Sequence, residues 1–178
     1  SRVKHSPSEM PINAIKFCLN QAKISMKDVD KIAYPFTWPG ADKRVGDYIR
    51  FQFKSCPEIR LINHHIAHAA STYRISGFKE ANIITTDFSG DGISTLLCHA
   101  KGNGKISVLK EFRKPNSLGA FYAVLTQVLG FRRDSDEYKV MGLSSYGKPT
   151  MDLSWFLKPK EDGYELNGDY IRNTIEGL

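Results

Sequence analysis

The chain has 178 residues, 41% of them hydrophobic and 25% charged, with a formal net charge of +6. Those proportions are ordinary for a soluble globular domain and do not suit a disordered chain. No apolar run is long enough to span a membrane, and the polar opening Ser1 to Pro11 has no signal-like stretch.

The first predicted element is a helix over residues 11–22, where Ile12, Ile15, Leu19 and Ala22 recur at helical spacing and Pro11 suits the first turn. A short segment, Ser25 to Asp30, leads to a strand at Lys31 to Tyr34. Pro35 and Trp38-Pro39-Gly40 break the chain before a helix over 41–53. A strand at 59–62 runs into Asn63-His64-His65, where another helix begins and continues to about Tyr73. Three strands follow at 83–87, 93–99 and 106–112, joined by Gly-containing turns. Ser117 is a suitable N-cap for a helix over 118–129 ended by Gly130, and 134–143 reads as helical. The tail past Pro149 gives no clear pattern. Helices flanking an antiparallel meander make the fold class α/β or α+β, with no repeat, low-complexity tract or linker.

Three cysteines, Cys18, Cys56 and Cys98, are dispersed and form no CxxC pair. Cys18 and Cys98 lie among apolar neighbours and read as small core residues; reduced thiols and a cytoplasmic home follow. The positive charge favours anionic partners, but Lys101, Lys105, Lys110, Arg113 and Lys114 read as solvated positions rather than a nucleic-acid stripe.

His64 and His68 are four residues apart, which on a helix sets both imidazoles on one face, about 6 Å apart at Cβ. Position 65 is His, so this is not the zinc-protease pattern, and His65 points elsewhere in a structural role. A bare His-x-x-x-His is common on helices; a carboxylate on a neighbouring element makes it a candidate metal site, and Asp87, ending the Ile83 to Thr86 strand, supplies one. Two His and a carboxylate suit iron(II), manganese or zinc. The turn Ser89-Gly90-Asp91-Gly92 offers positive φ, backbone N–H groups and a hydroxyl to an anion such as a nucleotide phosphate, although Asp-Gly is also the ordinary hairpin dipeptide. There is no Walker loop and no GxGxxG. Glu137 and Lys139 are two apart and do not face one another on a helix, while Arg132 could pair with phosphate.

Taken in order, Asn63 to Ser71, Thr86 to Gly92, Asp136 to Leu143 and Tyr146 to Pro149 resemble the carbamoyltransferase family that includes nodulation protein U and the cephalosporin and tobramycin carbamoyltransferases. Ser1 to His5 is similar to the stretch after that family's first strands. The resemblance implies an α/β domain, a mixed sheet with flanking helices, of the actin, sugar-kinase and heat-shock-ATPase fold. It implies residues 1–178 as one incomplete N-terminal part of it, without the first strands, the second half and the C-terminal adenylating domain. It further implies ATP-dependent transfer of a carbamoyl group from carbamoyl phosphate, through carbamoyl-adenylate, to a hydroxyl of a sugar-like or antibiotic-like molecule. The metal, iron(II) by resemblance, would be held by His64, His68 and Asp87, the phosphate by Ser89, Gly90, Asp91 and Gly92, with Glu137, Lys139 and Arg132 near the active site. This chain alone is expected to bind ATP weakly and not to turn over. Rival expectations are a non-catalytic actin-like nucleotide-binding domain and a tRNA threonylcarbamoyl-transfer or hydrogenase-maturation relative. The Lys139 to Leu143 run argues for the sugar or antibiotic branch.

Overall fold

A computed structural model describes residues 10–102, 104–169 and 171, so the opening Ser1 to His5 lies outside the described residues. The chain divides into two compact units, one ending at His64 and one beginning at His65.

The first unit opens with helix α1 (Ile12–Ala22). Pro11 stands at its N-cap rather than inside the helix, and Lys23 closes it in the left-handed region. A 3-10 turn (Met26–Asp28) follows, fixed by a capping box in which the Asp28 carboxylate accepts from the backbone N–H of Ser25 at 2.8 Å. Strand β1 (Lys31–Tyr34), helix α2 (Ala41–Phe53) and strand β2 (Glu58–Leu61) form a parallel crossover in which Ile32 pairs with Ile59. Met26, Val45 and Ile49 are buried at its centre, with Ile15, Leu19, Ile32 and Ile59 packed around them. Cys18 is exposed, contrary to the core role expected of it. The inward side of α1 is the Ile15–Leu19 row, and Cys18 is turned about 100° from Leu19 around the helix.

The second unit is built on strands β3 (Glu80–Gly90), β4 (Ile93–Lys101) and β5 (Lys105–Arg113), an antiparallel meander in the order β3-β4-β5. Helix α3 (His64–Ser76) packs on one face. Its buried row His65, Ala69 and Tyr73 repeats every four residues, and Ala69 and Tyr73 meet Ile83, Ile93, Leu96, Cys98 and Ala100. Helix α4 (Leu118–Val128) is capped by Ser117, whose hydroxyl accepts from the N–H of Ala120 at 3.0 Å. A second core joins Ala120 and Val124 to Phe156, Leu166 and Ile171. Phe156 precedes, and Leu166 ends, an antiparallel hairpin of strands β6 (Leu157–Lys160) and β7 (Gly163–Leu166), which the sequence pattern had not disclosed. Helix α5 (Glu137–Ser144) starts three residues later than its pattern suggests, because Asp136 takes the N-cap position. The architecture is therefore mixed α/β, with sheets and flanking helices. Among the described residues no helix is long and apolar enough to cross a membrane.

Candidate metal centre and adjoining turn

Helix α3 presents two rows of side chains. The inner row carries His65, fully buried, whose Nε2–H donates to the Ile93 carbonyl at 2.9 Å. Since a carbonyl only accepts, Nδ1 bears the lone pair and takes the hydroxyl hydrogen of Thr85 at 2.7 Å. His65 thus ties α3 to both β3 and β4, the structural part expected of it. One residue to either side of the row the helix turns by about 100°, which puts His64 and His68 on its flank.

His64 heads α3. Its Nδ1–H donates to the Pro35 carbonyl at 3.1 Å, and its ring stacks on Phe36 with centroids 4.5 Å apart. The Pro35 bond makes Nδ1 the protonated nitrogen and the Phe36 stack holds the ring, the usual arrangement behind an imidazole whose Nε2 binds metal.

Asp87 arrives from β3. Ile83 and Thr85 are buried towards α3, and continuing that alternation aims Asp87 to the same side. The regular ladder ends just before it: between the pairs Thr86–Thr95 and Gly90–Ile93, four steps along β3 oppose two along β4. Such a bulge re-aims side chains at sheet ends. The Asp87 carboxylate accepts from the Phe88 N–H at 2.7 Å through Oδ1, while Oδ2 lies 3.9 Å from His68 Nε2. One ligand atom from each of His64, His68 and Asp87 lies within 4.8 Å of the others. Ligands sharing one first-row ion at about 2.0–2.2 Å stand roughly 3–3.5 Å apart, so small side-chain rotations close the triangle. Two neutral nitrogens and a carboxylate, half-exposed on one edge, fit a divalent ion by position and by donor type.

The turn beyond Asp87 is a two-residue hairpin in which Asp91 (φ 51°) and Gly92 (φ 78°) both occupy the left-handed region, the primed geometry that suits strand twist. The positive φ expected of both glycines is found only at Gly92; Gly90 has ordinary strand geometry and is buried in the ladder opposite Ile93. Ser89 and Asp91 are half-buried.

Gly119, which the sequence pattern did not single out, and Ser117, expected there only as a helix cap, set this end of the sheet. A Cβ on Gly119 would fall 2.6 Å from the Phe88 nitrogen and 2.8 Å from the Asp87 carbonyl carbon, so only glycine lets α4 lie against the strand. Ser117 Oγ donates to the Phe88 carbonyl at 2.8 Å. A glycine in the first turn of an otherwise apolar helix was the available signal for that close approach.

Glu137, Lys139 and Arg132 serve the start of α5. Lys139 pairs with Asp136 at 2.9 Å, the Arg132 backbone N–H donates to Asp136 at 3.1 Å, and Glu137 accepts from the Asp134 N–H. The Lys139 ammonium beside Asp136, and then the Arg132 N–H, hold that carboxyl below the usual range, and Asp136 in turn raises Lys139. Neither Lys139 nor the Arg132 side chain hydrogen-bonds to the His64, His68 and Asp87 cluster.

Residues 35–176 match the model of the carbamoyltransferase N-terminus family, a span that includes the whole cluster, the turn and α5. The chain belongs to the carbamoyltransferase N-terminus family. It is 32% identical to nodulation protein NolNO of Sinorhizobium fredii over 195 residues, which cover 96% of this chain and 28% of that protein. It is 44% identical to nodulation protein NolO of Bradyrhizobium diazoefficiens over 115 residues, 62% of this chain and 20% of the relative. An uncharacterized Synechocystis protein, sll1178, is 30% identical across the full chain and 35% of its own length. This carbamoyltransferase-family chain therefore spans about a third or less of the relatives it matches.

Proposed function

We propose that the chain is the metal- and phosphate-holding part of an ATP-dependent O-carbamoyltransferase, with His64, His68 and Asp87 as metal ligands and Ser89 to Gly92 beside the phosphate. The observation that carries the reading is the convergence of those three ligand atoms within 4.8 Å in a chain of the carbamoyltransferase N-terminus family. The place of this α/β unit within an actin-like domain, and an adenylating domain in the full-length parent, belong to the same proposal.

A divalent ion there, iron(II) by resemblance and manganese or zinc by ligand type, would supply Lewis-acid stabilisation of phosphate oxygens. His64 is oriented for that task by Pro35 and Phe36, and Asp87 by the Phe88 N–H, so the ligands need little rearrangement. In the reaction proposed, the acceptor hydroxyl oxygen bonds to the carbamoyl carbon of carbamoyl-adenylate. The bond from that carbon to the phosphate oxygen breaks, AMP leaves with the electron pair, and the hydroxyl proton passes to a base. The turn and its flanking elements hold the adenylate in place, and holding reactants in register is itself a large part of such catalysis.

The test is pyrophosphate release from ATP by the full-length parent protein. Release that depends on carbamoyl phosphate supports the reading. ATP left untouched removes it and favours a non-catalytic nucleotide-binding domain, and ATP simply hydrolysed to ADP removes it and favours a kinase-like one.

A further inference from the structure

We infer that Arg113 and Lys114 are the cationic arms that grip the adenylate phosphate at the Ser89 to Gly92 turn. The inference rests on the transferase reading for the identity of the nucleotide and on the geometry for the two residues. By sequence both read as solvated surface positions at the end of a strand.

The meander brings them to the turn. Arg113 ends β5 and pairs in register with Ile93, the first residue after the turn. A Cβ built on Gly92 would stand 3.6 Å from the Arg113 guanidinium, so that group lies beside the open side of the glycine. Lys114 extends to the other end of the turn, with its ammonium 4.9 Å from the centre of the Phe88 ring. One cation therefore stands at each end of the segment that runs from Phe88 to Gly92.

Their charge accounting also points to an anion. Among the described residues Lys114 forms no ion pair and rests only on an aromatic face, a contact that orients an ammonium without neutralising it. Arg113 gives one nitrogen to Glu111 at 2.7 Å, while its planar fork has donors to spare for a phosphate. Asp87 and Asp91 would repel a phosphate arriving at the turn, so cations are needed beside it even when a metal is bound. The N-terminus of α4 lies against the same strand segment through Gly119 and adds a favourable dipole.

AMP is the probe, measured by equilibrium dialysis against the full-length parent protein, with carbamoyl-phosphate-dependent pyrophosphate release run in parallel. Arg113→Ala and Lys114→Ala are each expected to weaken AMP binding about tenfold, with Arg113→Lys and Lys114→Arg recovering much of it. Glu111→Gln releases Arg113 from its partner and is expected to tighten AMP binding severalfold, which a purely structural role for Arg113 would not produce. Both alanine variants are surface changes and should keep the wild-type urea midpoint. Unchanged AMP affinity in both variants overturns the inference. So does a parent protein that releases pyrophosphate but binds no AMP, an outcome that leaves the transferase reading standing. If pyrophosphate release is absent but AMP binding still falls in the variants, the transferase reading fails and the phosphate grip survives.

Discussion

His64, His65 and His68 occupy one turn and a half of the same helix and do different work. His65 has both ring nitrogens committed to Thr85 and Ile93 in a fully buried setting. His65→Ala leaves a cavity and two unpaired polar groups, and an unfolding midpoint in urea should report a loss of about 2–4 kcal/mol. His68 is exposed, so His68→Ala should leave that midpoint within about 0.5 kcal/mol while abolishing bound metal in elemental analysis of the protein. Were His68→Ala to retain its metal, the ligand assignment would fall. The cysteines separate the same way. Burial raises the Cys98 thiol and shields it, whereas Cys18 is open to solvent. Iodoacetamide at neutral pH should alkylate Cys18 in the native protein and spare Cys98 until denaturant is added, as peptide mass mapping can show.

The elements depend on two local devices. Gly119 permits α4 to lie on the Asp87–Phe88 backbone. Gly119→Ala forces the strand or the helix to shift, costing about 1–3 kcal/mol and loosening metal binding through Asp87; a variant with unchanged stability and metal affinity would show that the contact gives way freely. At the start of α5, Asp136 has its pKa lowered by Lys139 and by the Arg132 N–H. A depressed folded-state pKa contributes stability above the unfolded value of 3.8, and that contribution disappears as pH falls through the lower folded value. Asp136→Asn should therefore lower stability slightly at neutral pH and converge on the wild type as pH falls below about 4, which flattens the acid limb, a comparison that urea midpoints across pH can make. Most elements were legible because their signals are local: the Ile15 and Leu19 spacing, the Ser117 cap, the Asp91-Gly92 turn. The β6–β7 hairpin was not. Leu157-Lys158-Pro159-Lys160 carries a proline and two charges, and becomes a strand because Phe156 and Leu166 are buried beside it against α4.

At the scale of the whole chain, the clustering of His64, His68 and Asp87 was legible, the two histidines from a four-residue spacing and Asp87 from its place at a strand's end. The tautomer of His64, the bulge at Asp87 and the approach of Gly119 were not, since each depends on residues distant in sequence: Pro35, β4 and α4. Arg132, Glu137 and Lys139 lie within eight residues of sequence, and their described contacts are correspondingly local. If the proposed site binds metal in the folded chain alone, adding manganese(II) at a hundred times its dissociation constant should stabilise the protein by about 2.7 kcal/mol. A thermal midpoint that rises equally in wild type and His64→Ala would contradict the site. Alone, with about a third or less of its relatives' length, the chain is expected to show only weak ATP binding by calorimetry.

The three strands of the second unit are consecutive and joined by short turns, so their pairings are among the most local in the molecule. Local pairings form quickly, and a chain made from its N-terminus completes β5 before α4 and the β6–β7 hairpin exist. The bulge that aims Asp87 is therefore set by strand pairing during synthesis, and Gly119 closes on a backbone already in place. A nascent chain stalled shortly after Arg113 would already carry His64, His68 and Asp87, so on the proposed reading the three ligands would stand ready for an ion before the rest of the unit has folded around them.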